Sequence, residues 1–162
     1  MAQAQLGLMS GQNAGDAVYR SFTWLSPAHR AAHPTQGPVY GAEPYAVAGD
    51  VYSAAPYVGR AGWSWYTGAS AWLHRAAVES IFGLQMTAQS LHFQPSLPSH
   101  WPRAELTLRR DGRTLRFILL RGADDGHWAA GAPTDARLLP VGEALAWPGL
   151  PADSCFVIPL PG

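Results

Sequence analysis

The sequence predicts an α+β chain, with helices to about residue 85 and antiparallel strands after it. Three observations carry this. Apolar residues recur three and four apart in two stretches, 14–25 and 68–84, the spacing of one helix face. From Met86 onward the apolar period changes from helical to alternating. Asp111-Gly112 lies between two alternating runs, which is a strong short-range hairpin signal. The change of period also sets the expected division: a helical part over 1–85 and a β domain over 86–162.

The elements follow in order. Residues 1–9 are dominated by Ala, Gln, Leu and Met, good helix formers. No capping residue precedes them, so the chain reads as starting inside a helix, as a cut segment would. Ser10-Gly11-Gln12-Asn13 is a turn. A second helix over 14–25 then places Val18, Phe22 and Leu25 on one face, and the two helices make an antiparallel hairpin. Pro27 stops it. Residues 26–68 hold no sustained period and are punctuated by Pro27, Pro34, Pro38, Pro44 and Pro56, with a short helix expected at about 45–51. The clearest helix spans 68–84, with Thr67 as its N-cap and Gly83 near its end. Strands are expected over 89–94, 104–110, 114–120, 137–141 and 155–160, with a rigid connector at 97–102.

Composition excludes several classes. Apolar residues are 48% of the chain, too many for disorder. The formal net charge is zero, which removes the electrostatic footprint of a nucleic-acid binder. The single cysteine, Cys155, excludes an internal disulfide, and its apolar strand context points to a buried inert thiol. No apolar run approaches the ~18 residues of a membrane span. No signal-peptide pattern opens the chain, and a soluble, cytoplasmic chain is expected. Two features stand out: seven Trp, six Tyr and five Phe, against charged residues of only 14%. Either part of the surface is covered by more protein, or this is a compact, Arg-only chain with small neutral surface residues.

Self-contained catalytic sites are missing from the sequence. The six His, at 29, 33, 74, 92, 100 and 127, form no helical ligand pair with a carboxylate, so no metal is expected. There is no glycine-rich nucleotide loop and no nucleophile elbow. Asp124-Asp125-Gly126 reads as a turn. The run 43–83 differs. It places Glu43, Tyr45, Arg60, Trp63 and Trp65 in one aromatic stretch, with Asp50 among them, and indole faces with a few fixed polar groups, here an Arg, a Glu and an Asp, suit sugar rings. Thr67-Gly68 opens a helix, whose unpaired N–H groups favour an anion such as phosphate, and Gly68 allows close approach to the backbone. The plainer reading makes Thr67 a cap and the tryptophans core.

Several motifs together carry a resemblance: Leu25-Ser26-Pro27-Ala28-His29, the run from Glu43 through Tyr52, Gly59-Arg60-Ala61-Gly62-Trp63-Ser64-Trp65-Tyr66-Thr67-Gly68, Ile81-Phe82-Gly83-Leu84 and the run from Pro95 through Pro102. In order and approximate spacing they resemble the C-terminal part of the inverting glycoside phosphorylases, glycoside hydrolase family 94, on its cyclic β-1,2-glucan synthase branch. The resemblance implies the last helices of an (α/α)₆ barrel followed by a small β domain. It implies phosphate binding at Thr67 and Gly68, with inorganic phosphate as co-substrate and no other cofactor. It makes Glu43, Tyr45, Arg60, Trp63 and Trp65 candidates for contact with a β-glucan oligosaccharide. In that family phosphate attacks the anomeric carbon while an Asp protonates the leaving oxygen, an inverting scheme with phosphate in place of water. The segment that carries this acid has no counterpart here, and neither Asp16 nor Asp50 stands at a matching position. The chain is therefore expected to carry no catalytic residue of its own and to be inactive alone. Its expected partners are the rest of a parent enzyme, itself inner-membrane associated, or a second copy. The other function class is a non-catalytic glucan-binding or association module.

Overall fold

The structure, a computed structural model, describes residues 14–65, 67–122 and 132–162. The helix expected over 1–9, the turn after it and the turn at 124–126 lie outside the described residues. The chain divides into two compact units, Met1–Ile81 and Phe82–Gly162.

In the first unit, α1 is Ala14–Leu25, with Asp16 in its first turn, where a carboxylate complements the helix dipole. Val18 is buried while Trp24 and Leu25 are exposed. Ser26 donates its N–H to Phe22 O at 2.9 Å, closing α1. Pro27 then starts a new helix, α2 (Pro27–Ala32), because a proline suits the first helical position, where no N–H is needed. A single turn, α3 (Gly37–Tyr40), follows. Two short helices thus occupy a stretch read from sequence as aperiodic; each is too short to show a period.

The short helix expected over 45–51 does not form. Ala46 N–H reaches Glu43 O at 3.4 Å, which makes only a turn, and the chain then runs extended. Gly49 donates to Trp63 O at 2.6 Å, Gly62 to Asp50 O at 3.1 Å, and Tyr52 to Arg60 O at 2.9 Å. Val51 bridges Ala61 in antiparallel pairing. The backbone groups a helix would have used are spent on a two-stranded ribbon, 49–52 against 60–63. The ribbon is tied inward by Ala61 N–H to the carbonyl of buried Tyr40, at 2.9 Å.

The long helix expected over 68–84 is shorter and changes type. It is α4 (Thr67–Arg75), continued by a π-helical segment, Ala76–Ile81. Thr67 is the first helical residue and not the cap outside it. No residue of α4 is buried, so the apolar face read from sequence is only half covered. Trp72 is exposed, with the Arg75 guanidinium 5.0 Å from its ring centre.

In the second unit, β1 (Leu84–Met86), β2 (Ser90–Phe93) and β6 (Leu145–Ala146) form one sheet in the order β1-β2-β6. The other sheet holds β3 (Arg103–Arg110), β4 (Arg113–Arg121), β5 (Arg137–Leu138) and β7 (Asp153–Leu160), in the order β3-β4-β7-β5. The hairpin at Asp111-Gly112 forms as read. Arg110 faces Arg113, and both turn residues have positive φ, 51° and 73°, the primed-turn geometry that Asp-Gly favours. The expectation of purely antiparallel strands is corrected: β7 pairs parallel with both β4 and β5. A central strand in parallel pairing is covered on both faces, and Cys155, Phe156, Val157 and Ile158 are all buried. On one face, Phe117 packs against Phe93 of the smaller sheet, with ring centres 4.7 Å apart, and stacks with Phe156 at 5.5 Å. On the other, Ile118, Cys155 and Val157 form a cluster with Leu120, Ala132 and Ala136. Burial pushes the Cys155 thiol up, away from its reactive thiolate form.

Candidate functional site

The first unit gathers the aromatic residues on the ribbon and on the turn that leads into α4. Trp63 ends one ribbon strand, and the Gly49 N–H holds its carbonyl. Trp65 follows with φ 67°, a left-handed backbone that is uncommon for a bulky residue. Two contacts hold it. Its indole N–H donates to Glu43 Oε1 at 3.3 Å, and its ring meets Tyr45 edge-on at 5.8 Å. The Glu43 carboxyl lies below the usual glutamate range, first because of its own backbone N–H, then because of the Trp65 indole, with Ser64 adding less. Glu43, Tyr45 and Trp65 therefore form one cluster, read from sequence only as separate candidates.

Two cavities flank Trp63. One, of about 340 Å³, is lined by Gly49, Asp50, Trp63, Gly68 and Ala69. The other, of about 370 Å³, is lined by Tyr52, Tyr57, Arg60, Ala61, Gly62 and Trp63. Both fall in the size range of small-molecule sites. Tyr45, Trp63 and Trp65 are 72%, 74% and 63% exposed, so the plainer reading of the tryptophans as core does not hold for Trp63 and Trp65.

The structure brings Gly68 and Trp63 to one cavity and sends Arg60 to the other, its guanidinium 5.7 Å from the Tyr57 ring centre. Arg60 therefore does not line the cavity that reaches Gly68. Thr67 is exposed at the first turn of α4, where N–H groups have no intrahelical partner. A Cβ built on Gly68 would meet no atom within 4 Å, so the approach to this backbone is open. Asp50 and Tyr52, which the sequence offered only as part of the run 43–52, line these cavities, and Tyr57 was missed. The signal was the ribbon itself: once 49–52 pairs with 60–63, Asp50 stands beside Trp63. Among the described residues no group of three or more His, Cys, Asp or Glu could hold a metal ion. Among them, too, no helix is long and apolar enough to cross a membrane.

Comparison with known proteins gives a consistent set. Residues 2–83 match the family described as the glycosyl hydrolase 94 superfamily, catalytic domain. A cyclic beta-(1,2)-glucan synthase, NdvB, of Rhizobium meliloti (strain 1021) is 37% identical over 118 residues, covering 73% of this chain and 4% of that protein. An N,N'-diacetylchitobiose phosphorylase of Vibrio proteolyticus is 39% identical over 59 residues, 36% of this chain and 7% of that protein. A solabiose phosphorylase of Paenibacillus borealis is 26% identical over 106 residues, 65% of this chain and 13% of that protein. The chain thus spans between 4% and 13% of the length of these relatives.

Proposed function

The chain belongs to the glycosyl hydrolase 94 superfamily, half of it matching the catalytic domain, and from that premise we propose that it is a C-terminal portion of a cyclic β-1,2-glucan synthase or a related phosphorylase acting on β-glucans. The observation that carries this reading is the cavity walled by Trp63 that opens onto Gly68 at the start of α4. A glucosyl ring stacked on the indole and a phosphate held by the first-turn N–H groups would meet there, which is what phosphorolysis requires. In this reading Thr67 and Gly68 hold the phosphate, and Trp63, Trp65, Tyr45, Glu43 and Arg60 face the glucan. α1, α4 and the π-helical segment are the last helices of an (α/α)₆ barrel whose other helices supply the general acid.

The isolated chain then binds without turning over. Loss of the general acid alone removes about 10²–10⁴ in rate. Incubation of the purified chain with β-1,2-gluco-oligosaccharides and phosphate should release no glucose 1-phosphate; release would refute this assignment. Thr67→Val should weaken phosphate binding more than oligosaccharide binding, measured separately by titration calorimetry. Equal losses would reduce Thr67 to a structural role. That α4 has no fully buried residue and that Trp24, Leu25 and Trp72 are exposed favours a companion reading. In it, the surface of the first unit is covered by the remainder of the enzyme or by a second copy. A module that binds glucan without catalysis shares the aromatic surface but needs no anion at Thr67.

A further inference from the structure

We propose that Asp50 is a sugar-binding residue, and that its carboxylate makes the cavity beside Gly68 a site for the adjacent hydroxyls of a neutral pyranose. The proposal rests on the reading of this cavity as a glucan site and names the group that recognises the ring. Asp50 lines the same cavity as the exposed Trp63, a combination of carboxylate and indole that fits a sugar's polar rim and apolar face. Its backbone is fixed by the ribbon: Gly62 N–H donates to Asp50 O at 3.1 Å, and the neighbouring Gly49 N–H to Trp63 O at 2.6 Å.

The side chain is placed by a close packing contact. A Cβ on Gly62 would lie 1.8 Å from Asp50 Oδ1 and 2.8 Å from its Cγ. The carboxylate therefore occupies the space that any larger residue at 62 would fill. Among the described residues no ion pair or hydrogen bond engages this carboxylate. That separates it from Glu43, whose carboxylate already accepts from Trp65 and Ser64. An ionised carboxylate only accepts, so its ligand must donate; hydroxyls do, and a phosphate dianion is repelled. The cavity is thus divided by charge, with the neutral ring toward Asp50 and the anion toward the N–H groups at Thr67 and Gly68.

The test uses the full chain, a β-1,2-linked glucose disaccharide and inorganic phosphate, each titrated separately by calorimetry. Asp50→Asn keeps the shape and should weaken disaccharide binding roughly 10- to 100-fold, the worth of one charge-assisted hydrogen bond. Phosphate binding should be unchanged or tighter. Gly62→Ala keeps the charge but displaces the carboxylate, and should lose disaccharide affinity to a similar degree with an unaltered circular dichroism spectrum. Wild-type disaccharide affinity in Asp50→Asn, a parallel loss of phosphate binding, or no disaccharide binding by the wild-type chain at millimolar concentration would overturn the assignment. If Thr67→Val leaves phosphate binding intact while Asp50→Asn still loses the disaccharide, the phosphate reading fails and the role of Asp50 stands.

Discussion

Gly68→Ala should raise stability and lower phosphate affinity, and the opposite signs are the point. Gly68 lies in α4, and a Cβ there meets nothing within 4 Å, so alanine fits the native backbone. Restricting the unfolded chain at such a site stabilises by about 0.4–1 kcal/mol. For a chain of this size that raises Tm by roughly 1–4 °C. The same methyl group projects where phosphate would approach the first-turn N–H groups. Loss of one charge-assisted hydrogen bond, about 1.5–3 kcal/mol, would weaken binding roughly 10- to 150-fold. Gly83→Ala is the contrasting case. Gly83 has φ 75°, and a Cβ there would lie 2.0 Å from the Gln94 carbonyl oxygen, which is backbone and cannot swing away. The left-handed conformation costs about 1–2 kcal/mol for alanine. Disturbing the Gln94 N–H bond to Gly83 O, 2.8 Å long, adds about 0.5–1.5 kcal/mol. Urea unfolding followed by tryptophan fluorescence, with calorimetric titration of phosphate, reads both. If Gly68→Ala is destabilising, the openness argued for that backbone is wrong. If it stabilises without weakening phosphate, the glycine has no binding role.

Further outcomes follow from the same contacts. Trp65→Phe removes the indole N–H and should raise the Glu43 carboxyl toward its ordinary 4.5, as read by NMR titration. Because the folded Glu43 value is lowered, its stabilisation is complete above the ordinary glutamate range and fades as pH falls through the folded value. Glu105 behaves with the same sign, since Arg116 and then Arg103 hold its carboxyl down; Glu105→Gln should cost less than about 1 kcal/mol in urea unfolding near neutral pH and nothing at low pH. Phe117→Ala should cost about 3–5 kcal/mol in the same assay, because Phe117 is fully buried between Phe93 and Phe156. Light scattering should show self-association, or a hydrophobic dye should bind; a dye-silent monomer at high concentration would contradict the covered-surface reading.

Much of the fold was legible where chemistry is local. The Asp111-Gly112 hairpin needs two positive φ values, and that pair of residues supplies them. Val18 sits buried on the α1 face that the three- and four-residue spacing picked out, while Leu25 of the same face is exposed. What failed depended on distant partners. Nothing near 153–160 reveals that β7 runs parallel to β4, because the pairing spans more than thirty residues. The apolar stripe of 68–84 reads as core, yet α4 has no buried residue, since a stripe states a preference for cover and not its presence. At the site, the aromatic run from Tyr45 to Trp65 was visible by composition. Asp50 was visible there as a polar neighbour, but its place beside Trp63 was not, because only the pairing of 49–52 with 60–63 carries it there.

The position of β7 has a kinetic consequence. This strand is the last to leave the ribosome among the described elements, yet it sits between β4 and β5 in the larger sheet. Until it arrives, the β3–β4 hairpin keeps an open edge along β4, and Phe117 and Ile118 lack the neighbours that bury them. Pairings of such sequence separation close slowly, because a long loop must be ordered before any contact rewards it. The larger sheet therefore closes only once β7 has been made, and until then its nascent form offers neighbouring chains an apolar strand edge.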